Sequence, residues 1–132
     1  MTPDTSVVVA GFAEWHPHFE QAHGALNSSM PIAAHVALEG YSTLTRLPDP
    51  FRVSADIASE YLEAGFAFKH LTLPDDEHDG IVGKLAERGV AGGAVYDALV
   101  ALTAAHHEHV LLTLDRRAES TYKRLGVSYE ML

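Results

Sequence analysis

Residues 110–132, VLLTLDRRAESTYKRLGVSYEML, decide the fold. The run Val110–Leu114 is apolar without polar alternation, as expected of a strand buried on both faces of a sheet. Asp115 ends it, and RRAESTYKRLG follows with a helical pattern stopped by Gly126, whose lack of a Cβ suits the left-handed turn that ends helices. VSYEML then reads as another strand. Strand, crossover helix and strand in so few residues imply parallel pairing. Asp115 is thereby expected at the carboxyl end of a strand, the edge at which open α/β sheets place their functional crevice.

The same reading extends toward the N-terminus. GGAVYDALVALTAA, residues 92–105, is a helix opened by a glycine pair, with Asp97 near its first turn and Ala101, Ala104 and Ala105 continuing the same face. DDEHDGIVGKLAERGV begins acidic and ends basic, the charge order that complements a helix dipole. AFKHLTLP reads as a strand closed by Pro74. Ser54 is the expected N-cap of DIASEYLEAGF, with Gly65 at its C-terminal end. MPIAAHVALEGYSTLTRL gives a short strand and then a helix that the prolines of LPDP stop. His16–Asn27 is a polar helix with Pro17 in its first turn, and TSVVVAGFAEW is a strand end running into a helix. The order is β, two helices, β, two helices, β, two helices, β, helix, β. The expectation is one domain over residues 1–132, with a mostly parallel sheet covered by helices on both faces.

Composition narrows the function. Nine Lys and Arg against 18 Asp and Glu give a formal charge of −9, which opposes broad adhesion to nucleic acid or anionic membrane. A polyanionic substrate must therefore be held locally. The absence of cysteine removes disulfides, thiolate nucleophiles and cysteine-based metal sites. No apolar stretch reaches the ~20 residues of a membrane span, and MTPDTS lacks the features of a signal peptide, so a cytoplasmic protein is expected.

The acids then form a pattern. Asp4 precedes its helix much as Asp115 does, and Asp97 lies on a face that offers little to screen it. Glu39 shares a helical face with His35, Ser42, Thr43 and Arg46, where solvation alone accounts for it equally well. Aspartate at a strand end also serves simply as an N-cap. Carboxylates that converge without cations repel one another and raise their own pKa values unless a cation neutralises them. Mg²⁺ or Mn²⁺ suits such hard oxygen donors, and the chemistry implied is phosphodiester hydrolysis.

DTSVVVA, LEGYSTLTRL, GGAVYDALVALTA and LLTLDRRAESTYKRLG, in this order over essentially the whole chain, resemble the PIN-domain proteins and, more narrowly, the VapC-type toxins of bacterial toxin-antitoxin pairs. The resemblance implies a three-layer α/β/α fold and a Mg²⁺-dependent endoribonuclease, with Mn²⁺ as a substitute, that cleaves structured RNA such as tRNA or rRNA. It also implies a cognate VapB-type antitoxin and a homodimer. Position by position, Asp4, Glu39, Asp97 and Asp115 match the four acidic residues of the family. Asp4 and Asp97 are then direct metal ligands, Asp115 serves a second ion or its water, and Glu39 orients or deprotonates the attacking water. Ser6 and Thr113 are candidates to hydrogen-bond that water or a neighbouring carboxylate. Arg46, Arg116 and Arg117 are candidate phosphate contacts. Where the family has several apolar residues before its first aspartate, this chain has Met1, Thr2 and Pro3, so the first strand is expected to be short. That departure sustains a second reading, a catalytically silent PIN-like module that binds RNA or protein. A phosphoacceptor-aspartate domain is a third, and leaves Asp97 unexplained.

The histidine clusters HPH (16–18) and HHEH (106–109) lack zinc-site spacing and read as polar helix ends. Tyr61, Phe66 and Phe68 read mainly as core, with a partner groove as the alternative.

Overall fold

The computed structural model describes residues 1–132. The elements run β1 (Thr2–Pro3), α1 (Thr5–Phe12), α2 (Phe19–Ala25), α3 (Ala34–Thr45), α4 (Ala55–Ala64), α5 (Asp75–Asp79), α6 (Ile81–Glu87), α7 (Ala94–His106), β2 (Leu111–Thr113), α8 (Glu119–Leu125) and β3 (Tyr129–Met131). The three strands form one parallel sheet in the order β1-β2-β3, with Thr2 opposite Leu111 and Leu111 opposite Tyr129.

Adjacent side chains on β2 point to opposite faces and divide the core in two. Leu111 joins a large cluster with Val36 and Ala37 of α3, Leu62 of α4, Ala98, Ala101 and Leu102 of α7, and Tyr122 and Leu125 of α8. Leu112 joins a smaller one with Val7 and Ala10 of α1 and Ala22 of α2. A strand buried on both sides this way gives the α/β/α layering and explains why its sequence shows no polar alternation.

Several expected elements differ. TSVVVAGF is helix from Thr5 onward, so the first strand is only Thr2–Pro3. The amides of Thr2 and Asp4 donate to Val110 and Leu112 at 3.0 and 2.8 Å, whereas the position between them is Pro3, with no N–H to offer on the other side. The two segments read as strands at 30–32 and 67–74 contribute a single parallel bridge, Ala33 to Leu71. Lys69, with φ of +67°, breaks the extended run. Pro17 sits in the turn ahead of α2 rather than inside it, and Gly80 divides the 75–90 helix into α5 and α6.

Other signals were realised directly. The Ser54 hydroxyl accepts from the Ile57 amide at the start of α4, and Gly65 ends that helix. Gly126 adopts φ of +67° after α8. That helix begins at Glu119, however, which leaves Arg116 and Arg117 in the turn after β2. No helix is long and apolar enough to cross a membrane.

Candidate active site

Asp4 follows β1 and is the N-cap of α1: its Oδ1 accepts the Val7 amide at 3.2 Å and the Ser6 hydroxyl. Its Oδ2 accepts the Tyr122 hydroxyl from α8 at 3.1 Å. Ser6 in turn accepts the Leu114 amide at 2.9 Å, so one hydroxyl ties Asp4 to the end of β2. Burial pushes the Asp4 carboxyl pKa up, opposed by hydrogen bonds from Ser6, Thr113, the Val7 amide and Tyr122. Capping and site-building therefore coincide in one side chain.

Asp115 stands just beyond β2. Its amide donates to the Thr113 hydroxyl at 3.0 Å, and its Oδ1 accepts the Arg117 amide at 2.9 Å with the Arg117 Nε at 3.5 Å. Glu39, on α3, has its Oε1 held by the Thr5 hydroxyl at 3.0 Å, with His35 Nε2 at 3.5 Å. The His35 ring lies parallel to Tyr96 at 5.5 Å, beside Asp97 in the chain.

Asp97 occupies the first turn of α7, which the left-handed Gly92 introduces. Its carboxyl is pushed up to about 6, first by burial, then by the charges of Asp115, Glu39 and Asp4, with Arg117 pulling the other way. No hydrogen bond opposes this rise. The four acids share one cavity of about 210 Å³, lined also by Thr5, Ser6, Val100 and Tyr122. The acids that the sequence scatters over more than a hundred positions are brought together.

Asp97 is thus a carboxylate destabilised by its neighbours, as expected of residues arranged for a cation. All four donors are hard oxygens, which suits Mg²⁺ or Mn²⁺. No three His, Asp or Glu side chains are close enough to chelate an ion by themselves. These side chains therefore form no closed protein cage of the zinc kind.

The remaining candidates separate. Thr113 is fully buried, its hydroxyl directed to the amide of Asp115, so it supports the site from beneath. Arg116 is exposed in the turn next to Asp115. Arg46 is exposed at the C-cap of α3 and lines neither the acidic cavity nor the one beside it. Lys123 and Arg124 are turned elsewhere, Lys123 to Glu119 at 3.9 Å and Arg124 to the Gly89 carbonyl at 2.7 Å. The 106–109 histidines bind protein groups, His106 to Glu77 at 3.1 Å and His107 to the Thr72 carbonyl at 2.8 Å. Phe66 is core and Tyr61 donates to the Val8 carbonyl at 2.8 Å, whereas Phe68 is 93% exposed.

Sequence reasoning missed Tyr122 and Thr5. Tyr122 falls on the buried stripe of α8 with Ala118 and Leu125, and a buried tyrosine hydroxyl needs a polar partner, which was the available signal.

A PIN domain family model matches residues 1–124. The chain belongs to the PIN-domain family. It is 46% identical to Ribonuclease VapC40 of Mycobacterium tuberculosis strain H37Rv over 132 residues, covering 100% of this chain and 98% of that protein. Ribonuclease VapC27 of the same strain is 38% identical over 129 residues, 94% of this chain and 90% of the relative. Within the PIN-domain family the chain is therefore of the VapC type, and the four acids converge at the C-terminal end of its parallel sheet.

Proposed function

We propose that this PIN-domain protein is an endoribonuclease, the toxin of a type II toxin-antitoxin pair, which hydrolyses phosphodiester bonds of structured RNA, tRNA or rRNA, with Mg²⁺ or Mn²⁺ as cofactor. The observation that carries the reading is the raised Asp97 carboxyl in a cavity shared with Asp4, Glu39 and Asp115. The names of the VapC relatives support the ribonuclease assignment.

Asp4 and Asp97 are the metal ligands, and Asp115 adds oxygen donors for a second ion or its water. An ion held there would supply Lewis-acid polarisation of the phosphodiester and would lower the pKa of the attacking water. Glu39, held by Thr5, takes the proton from that water as its oxygen attacks phosphorus and the bond to the leaving oxygen breaks. Ser6 and Tyr122 fix both Asp4 oxygens, which limits the reorganisation that metal binding requires. Arg116 and Arg117, beside Asp115, contact flanking phosphates and give an acidic protein its local hold on RNA.

A VapB-type antitoxin and a second copy of the chain are the protein partners. The groove between α3 and α4, lined by Ala37, Leu38, Tyr41 and Leu62, supports such a face, with Leu38 67% exposed. The silent-module reading is less well supported, because the two-residue first strand still leaves Asp4 with a complete hydrogen-bond set.

The test incubates antitoxin-free protein with total cellular RNA in Mg²⁺, Mn²⁺ or EDTA, alongside Asp97→Asn, and maps new RNA ends. Discrete cuts that need metal and vanish in the variant are expected. Intact RNA in every condition, from folded protein, would refute the ribonuclease reading.

A further inference from the structure

Next to the acidic cavity lies a second one of about 330 Å³, which shares Thr5, Ser6 and Asp115 with it. His16, His18, Thr43 and Arg117 also line it, with Val9 and Leu114 as its apolar part. Three aromatic and imidazole contacts run outward from His16 and His18, outside the two core clusters. Trp15 is 46% exposed and lies against Phe51, itself 42% exposed, with ring centroids 4.7 Å apart. The chain of rings continues from Trp15 to His16 at 5.9 Å and from His16 to His18 at 5.9 Å.

Two separate loops build this row. The turn between α1 and α2 supplies Trp15, His16 and His18. The segment after α3 folds back, the Val53 amide donating to the Leu44 carbonyl at 3.0 Å, and so brings Phe51 over Trp15. The His16 Nδ1 accepts the His18 amide at 3.1 Å, which leaves Nε2 as the protonated donor of a neutral ring. The Trp15–Phe51 contact joins the two loops and still leaves nearly half of each ring exposed. Flat rings, imidazole donors and an arginine at the rim suit a nucleobase with its attached phosphate, because unpaired bases stack on aromatic faces while cations hold the backbone.

We propose that Trp15, His16, His18 and Phe51 form a stacking platform for an unpaired nucleotide of the RNA strand that enters the acidic cavity, with Arg117 on the adjoining phosphate. The platform rests on the ribonuclease reading above for its substrate. It makes the selected RNA feature an unpaired base flanking the cut, as in a loop. Continuity with the acidic cavity favours RNA over a protein ligand at this patch.

Trp15 is the sole tryptophan of the chain, so its emission reports on this patch alone. The experiment titrates the folded Asp97→Asn protein, in Mg²⁺, with a single-stranded ribo-oligonucleotide and with the same sequence as a blunt duplex, while following Trp15 fluorescence. Quenching by the single strand, and much less by the duplex, is expected. Phe51→Ala is expected to weaken single-strand binding on the order of tenfold. With Asp97 intact, Phe51→Ala and Trp15→Ala should raise KM for the cleaved RNA while kcat is retained.

Unchanged Trp15 emission at RNA concentrations that saturate cleavage, or an unchanged KM in both variants, would overturn the platform and leave the ribonuclease reading standing. RNA that quenches Trp15 but is never cut by the wild-type protein would do the reverse. Emission that responds to the cognate antitoxin and not to RNA would reassign the patch to protein and overturn the proposal.

Discussion

Replacing Asp97 by asparagine should stabilise the metal-free protein, and only above a defined pH. The Asp97 carboxyl is pushed up from 3.8 to about 6, so the folded state holds its proton more tightly than the unfolded chain does. Such a group adds no penalty well below pH 3.8; the penalty grows between pH 3.8 and about 6, where the unfolded chain gives up its proton and the folded state keeps it, and is complete above about 6. The rise corresponds to about 3 kcal/mol at roughly 1.4 kcal/mol per pKa unit, before any allowance for solvent. Asp97 is only half-buried and solvent screens it, so we discount this to about 1 kcal/mol. At about 2.1 cal/mol/K per residue, unfolding 132 residues carries ~0.28 kcal/mol/K, so 1 kcal/mol moves Tm by about 4 °C. The assay is thermal unfolding in EDTA at pH 8 and at pH 4.5. Asp97→Asn should unfold about 4 °C above wild type at the higher pH and retain only part of that advantage at the lower, which lies between the two pKa values. Adding Mg²⁺ at ten times its Kd should raise wild-type stability by about 1.4 kcal/mol and leave the variant unmoved. An asparagine variant less stable than wild type at pH 8, or an equal difference at both pH values, would refute the claim that uncompensated carboxylate repulsion defines this site.

Tyr122→Phe removes one donor from the Asp4 carboxylate; it should cost about 1 kcal/mol in urea unfolding and raise the Mg²⁺ concentration needed for half-maximal RNA cleavage. Ser6→Ala loses both the bond to Asp4 and the acceptor for the Leu114 amide, and should cost about 1–3 kcal/mol by the same measurement. The Arg116 side chain is exposed, so Arg116→Ala should leave Tm unchanged while RNA cleavage weakens; unchanged cleavage kinetics would remove it from the site. Gly126→Ala places a Cβ at φ of +67° and should lower stability by about 1 kcal/mol without altering kcat, read from unfolding and cleavage in parallel.

What the sequence could reveal depended on whether a residue's neighbours were local. β2, α8 and the Gly126 stop were legible because the apolar run, the helical face and the glycine lie within a few positions of one another. Ser54 and Gly65 were legible for the same reason. The strands read at 30–32 and 67–74 were over-assigned: apolar extended runs do resemble buried strands, but pairing also needs a partner with free donors and an unbroken backbone. Lys69, at positive φ, breaks the second run, and a single bridge from Ala33 to Leu71 is all that forms. Asp4, Asp97 and Asp115 were legible as types, since each stood in an apolar run or at a strand end, whereas Glu39 on its polar helical face was not. Tyr122 and the pairing of Trp15 with Phe51 depend on contacts between residues 36 and 118 positions apart, which no local pattern records.

Asp4 shows why the choice between a structural and a chemical role was a false one. An N-cap aspartate satisfies its helix with one oxygen, so an ordinary cap leaves the other to water. Here the second oxygen is bound by Tyr122 in a buried setting, and the Ser6 that completes the first also grips β2. Burying a carboxylate costs stability that the cap alone would not require, because a cap works as well at the surface. The hydrogen bonds offset part of that cost, but they cannot offset the charges of Asp97, Asp115 and Glu39 facing the same cavity. An arrangement that holds one carboxylate with three donors and leaves its neighbour Asp97 with none is poorly accounted for by folding alone. On the proposed metal-dependent reading, such a site requires one ligand fixed in advance and another free to meet the ion.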